Sequence, residues 1–149
     1  MAVGAFTFYN KAKKKIGNGS INLGTGNFRV QLHTSASNAA TATLSTIASV
    51  DNQIADGNGY STSGKPLSSR VWTVGASAAQ YKWDTSDVFW SGSGGSIANI
   101  KHLVVCLSAA SAGGRHLLGR VQLSTSQFTL SSGNRMTVQW PSGGIFTLA

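Results

Sequence analysis

The chain has 149 residues, 12 lysines and arginines against four aspartates, no glutamate, and a formal net charge of +8. That length is one domain's worth and buries enough surface to fold without disulfides or metal. One cysteine, Cys106, excludes an internal disulfide, and four carboxylates leave little room for acid–base catalysis.

Glycine, serine, threonine and alanine are abundant, whereas the residues that usually build surface helices are scarce. The hydrophobic fraction of 41% supports a core, and two prolines are too few for a Pro-rich linker. No run approaches the ~18 apolar residues of a membrane span. No secretory leader is visible, because Lys11 to Lys15 follow rather than precede the apolar start. A soluble protein made in a reducing cytoplasm is expected.

The charge is uneven. Residues 1–29 hold five bases and no acid, residues 30–90 hold three bases and all four acids, and residues 91–149 hold four bases and no acid. Such a chain is attracted to something acidic, whether nucleic acid or the face of another protein.

In chain order, residues 1–20 read as an arm with a short helix. Phe6, Tyr9, Ala12 and Ile16 recur at helical spacing, and Gly17 and Gly19 are natural stops. Phe28, Val30 and Leu32 alternate with Arg29, Gln31 and His33 as in a half-buried strand. Residues 35–47 are ambiguous, with a short helix near 42–48 conceivable. Asp56-Gly57-Asn58-Gly59 is turn chemistry. Residues 67–74 and 80–90 each read as one strand. Residues 91–96 and 108–114 read as loops on either side of the nearly continuous apolar run 100–107, the candidate central strand. Leu117 to Leu123, Met136 to Trp140 and Ile145 to Leu148 complete the set. Seven or eight short strands with frequent turns predict a mainly β domain over 21–149. Its expected form is an antiparallel β-sandwich or open barrel, preceded by the 1–20 arm.

Chemistry is sparse. Gly94-Gly95-Ser96-Ile97-Ala98 lacks the last glycine of a hydrolase elbow. His33, His102 and His116 lack metal-ligand spacing, and no glycine pair completes a phosphate-binding fingerprint. Asp84 and Asp87 read as surface or turn acids, and Cys106 as a buried small hydrophobe. No catalytic residue, cofactor or metal is expected. Lys11, Lys13, Lys14 and Lys15 suit phosphate contacts, but Tyr81, Trp83, Phe89, Trp90 and Trp140 fall on strands where core packing is the expectation. A nucleic-acid-binding module is therefore the lesser alternative.

One stretch, Gly57-Asn58-Gly59-Tyr60-Ser61-Thr62-Ser63-Gly64-Lys65-Pro66-Leu67, carries a resemblance when taken in order with five others. These are Tyr9-Asn10-Lys11-Ala12-Lys13, Ile21-Asn22-Leu23-Gly24, Phe28-Arg29-Val30-Gln31-Leu32, Gly94-Gly95-Ser96-Ile97 and Trp140-Pro141-Ser142-Gly143-Gly144-Ile145-Phe146. In this order they resemble a group of small structural proteins of tailed bacteriophages. Ser63-Gly64 stands where two glycines are usual. The resemblance implies a virion protein made in the host cytoplasm, with a β-sandwich that decorates or cements the capsid. A tail, baseplate or head-fibre position is the alternative. The expected partners are the major capsid protein or other virion proteins, and a homo-oligomer, with a trimer favoured, would match threefold capsid junctions. Residues 1–20 are the candidate docking arm. Phe6, Phe8, Tyr9 and Ile16 would anchor it, and Lys11, Lys13, Lys14 and Lys15 would steer it.

Overall fold

The structure, a computed structural model, describes residues 3–148. Among them are eleven strands, one α-helix and three short 3-10 turns, a mainly β, sandwich-like antiparallel fold. No helix among the described residues is long and apolar enough to cross a membrane.

The frame is a six-stranded sheet. At its centre β7 (Ile97–Leu107) pairs on one edge with β2 (Phe28–Thr34) and on the other with β8 (Leu117–Gln122). β8 is flanked by β1 (Thr7–Phe8) and β2 by β3 (Lys65–Pro66), while β9 (Phe128–Leu130) pairs with the start of β7. Two smaller sheets complete the fold. One pairs β6 (Val88–Ser91) with β10 (Arg135–Val138). The other orders β11 (Phe146–Leu148), β5 (Tyr81–Asp84) and β4 (Val71–Val74).

Strand alternation decides what faces inward. Phe28, Val30 and Leu32 of β2 share a core with Leu103 and Val105 of β7 and Val121 of β8. The smaller sheets add Val88, Trp90, Met136 and Val138, and Trp83 with Phe146, to the same core. Trp83 is fully buried; its ring lies edge-on to Phe28 at 4.9 Å and its indole N–H donates to the Leu23 carbonyl at 2.9 Å. The opposite face of β2 and β7 carries Gln31, His33, His102, Val104 and Cys106, all buried. Here Tyr60 takes the place of a strand: its hydroxyl accepts from the Leu32 N–H at 3.0 Å and faces the Leu32 carbonyl.

Several sequence expectations are corrected. Residues 80–90 form two strands in different sheets. The Asp84–Asp87 link is irregular: Asp84 accepts from the Thr85 N–H and Asp87 from the Trp140 N–H. The strand expected from Leu67 begins only at Val71, because Ser69 takes a positive φ of 52°. No helix forms over 42–48; Asn38–Ala40 and Ile47–Ser49 are 3-10 turns, and Thr46 bridges to His116 instead. The strand β9 was not anticipated, and the total exceeds the seven or eight expected.

The largest correction concerns the arm. Residues 6–16 are built into the domain. β1 pairs with β8 through Thr7↔Arg120 and Phe8↔Gly119, so Phe6 and Tyr9 precede α1 (Asn10–Gly17) instead of lying on its face. Phe6 and Phe8 pack against Phe146, with ring centroids 5.2 and 4.6 Å away. This packing requires glycine at 119. A Cβ there would fall on the Phe6 ring and 2.7 Å from the Thr7 carbonyl oxygen. The ring could move only by giving up its contacts with Phe8 and Phe146, and the backbone carbonyl is fixed by the pairing. Gly119→Ala is therefore expected to destabilise the fold by ~1–3 kcal/mol, as overpacking does, read as a lower denaturant midpoint at unchanged slope.

Candidate interaction surface

The residues proposed for docking divide between core and surface. Tyr9 is 1% exposed and its hydroxyl donates to the Ala39 carbonyl at 2.8 Å, so it is not an anchor for a partner. Phe6, Phe8 and Ile16 are half-buried against the core. Lys11, Lys13 and Lys14 stand exposed on α1. Ala12 is the helix's buried residue, so the lysines occupy its solvent side, and Lys14 and Lys15 complement the dipole of its last turn. Lys15 is half-buried; its Nζ lies 3.3 Å from Nε2 of His116. For that contact to be a hydrogen bond, the ammonium must donate to a neutral imidazole. Burial and Lys15 both lower the His116 pKa.

A second basic site lies on the β6–β10 sheet. In β6, Val88 and Trp90 point inward, which turns Phe89 out at 41% exposure. Arg135 of β10 is one step diagonal to it, and its guanidinium lies 3.6 Å from the ring centroid. From β3, Lys65 reaches across so that its Nζ is 4.4 Å from the same centroid and donates to the Phe89 carbonyl. One exposed ring thus fixes two cations from different sheets. Burial, and then the nearby Arg135, lower the Lys65 pKa. Asp87, in the adjoining groove with Lys65 and Phe89, accepts from the Trp140 N–H and forms no ion pair with either cation. Among the described residues no hydrogen bond or ion pair holds the Arg135 guanidinium. It lies against the ring with its N–H groups available, a geometry suited to carboxylate or phosphate.

Sequence reasoning missed this cluster by assigning Phe89, and likewise Tyr81, to the core. Both are exposed. Alternation with the buried Val88 and Trp90 was the available signal for Phe89. The approach of Lys65 was not readable, because it depends on how two sheets pack.

Among the described residues no group of three His, Cys, Asp or Glu could hold a metal ion, and the Ser96 carbonyl accepts from the Asn58 side-chain N–H at 2.9 Å. The Cys106 thiol is buried, which pushes its pKa up to about 12. His33 and His102 are paired across β2 and β7. His33 contacts the Asp51 carbonyl through Nδ1 at 3.0 Å, while its Nε2 and Nδ1 of His102 are buried without a protein partner. Comparison with family models, with curated proteins and with solved structures finds no match to this chain.

Burial lowers the pKa of both histidines, and Arg120 and Lys101 add to the effect at His102. The unfolded chain therefore binds protons more readily than the folded one, and stability rises with pH through this window. Stability is expected to be complete above the unfolded value of about 6.5 and to fall as the pH drops below it. Chemical denaturation at pH 7 and pH 5 checks this: the difference should shrink in His102→Gln.

Proposed function

We propose that this chain is a structural protein of a tailed-phage particle, a decoration or cement protein that seats on the acidic face of the major capsid protein or another virion protein and stiffens the shell. The observation that carries the reading is a rigid β frame with unneutralised, positioned cations. Lys82–Asp84 is the one ion pair among the described residues, at 3.9 Å. Among the described residues the remaining lysines and arginines have no acid partner. Arg135 and Lys65 are fixed on Phe89, and Lys11, Lys13 and Lys14 face solvent on a docked helix. Like charges held together disfavour the free domain and favour a complex that supplies carboxylates. The ordered likeness of residues 9–13, 21–24, 28–32, 57–67, 94–97 and 140–146 to phage structural proteins points the same way. Self-association would add avidity on a shell that repeats its sites.

The test is a pull-down with assembled, DNA-free capsid shells, with naked DNA in parallel. Saturable, salt-sensitive binding to shells is expected, and Arg135→Gln should weaken it about tenfold (~1.4 kcal/mol) without changing the thermal midpoint. Lys11→Ser, Lys13→Ser and Lys14→Ser combined should mainly slow association. Binding to DNA alone, lost steeply with added salt, would assign the cations to phosphate contacts and overturn the reading.

A further inference from the structure

Four of the five exposed large apolar residues among those described lie in one sheet, Val71 on one face and the other three on the opposite face. Val71 and Val74 of β4, Tyr81 of β5 and Leu148 of β11 are 43–48% exposed. All belong to the three-stranded sheet, and β4 ends it. The β4–β5 pairing sets Val71 opposite Asp84 and Thr73 opposite Lys82, and the Gly75 N–H donates to the Gln80 carbonyl. Bonded positions alternate along an antiparallel pair, so Val71, Thr73 and Gly75 turn their amides toward β5. Trp72 and Val74 then direct N–H and C=O outward. No described residue bonds to these groups.

Free strand edges are ordinarily protected. The large sheet follows that rule: β3 is two residues long and contains Pro66, and β1 is also two residues. β4 has no proline, no charge and no register shift. We infer that β4 is a self-association edge, at which a second copy of this chain pairs antiparallel about a two-fold axis through Thr73.

The register is self-complementary. With Thr73 opposite its own copy, Trp72 of each chain lies opposite Val74 of the other, twice. Each of these pairs exchanges two backbone hydrogen bonds, so the outward groups of Trp72 and Val74 are satisfied on both chains. Each also sets an aromatic side chain against a β-branched one, a favourable cross-strand combination. Trp72 and Val74 lie on the face that holds Trp83 and Phe146, so in this register the row Phe146, Trp83, Trp72 is followed by Val74 and Tyr81 of the second copy. Charge permits the approach despite the net +8: β4 is neutral, Arg70 before it turns away to donate to the Thr25 carbonyl at 2.9 Å, and Lys82 and Asp84 of β5 pair with each other. A two-fold pair replaces the threefold assembly expected from capsid geometry. The inference deepens the self-association in the reading above, and its test reads chain association alone, so either can fail without the other.

Sedimentation equilibrium of the full chain across the micromolar range is the experiment. A two-chain species is expected. Val74→Pro removes an outward N–H, leaves the bonds of residues 71, 73 and 75 to β5 in place, and alters a half-exposed side chain. It should give a monomer with an unchanged circular dichroism spectrum. Thr73→Cys should form an inter-chain disulfide under mild oxidation. Opposed residues at such a position lie about 4.5 Å apart in Cα, within disulfide range, and the buried Cys106 does not compete. This variant decides the matter if Val74→Pro fails to fold. A monomeric wild type would overturn the inference, as would an oligomer that Val74→Pro leaves intact and Thr73→Cys does not link.

Discussion

The domain depends on the double pairing of β7. Its hydrogen-bonding edges are filled by β2 and β8, and side chains on both its faces are buried from Ile100 onward, apart from partly exposed Lys101 and Leu107. A strand that exposes neither edge nor face fixes the register of its neighbours, because a slip of one residue would exchange Val105 and Leu103 for His102 and Val104 across the sheet. The smaller sheets dock on that surface, and the loops around Tyr60 and Ala39 cover the other.

This dependence explains where the surface features lie. Lys65 sits at the end of the large sheet while Phe89 and Arg135 belong to a smaller one, so the cation cluster spans a seam. It is only as rigid as the packing of the two sheets. The polar pair His33 and His102 lies on the loop-covered face, where burial is deep enough to disfavour the charged imidazole. Basic charge is thus concentrated outside, and the protonatable groups inside are held neutral.

The frame was readable where the local pattern and the tertiary role agree. The apolar run of β7, the alternation of Phe28 to Leu32 and that of Met136 to Val138 each report their own burial. Reading failed where a long-range contact overrides the pattern. Tyr9 has helical spacing from Ala12 and Ile16, yet β8 draws the segment before it into a strand, and Ala39 supplies the acceptor for its hydroxyl. The break between β5 and β6 at Asp84–Asp87 was hidden because aromatic residues flank it closely on both sides. Phe89 lay within reach of a strict period of two; the positions of Lys65 and Arg135 on its ring did not.

The pairing of β1 with β8 also bears on synthesis. Thr7 and Phe8 leave the ribosome long before Gly119 and Arg120, their partners. Until β8 emerges, Phe6, Phe8 and Tyr9 have no surface to close on, and the sheet lacks a side strand. The sheet therefore closes late in synthesis, and until then the nascent chain carries an unpaired aromatic segment followed by lysines.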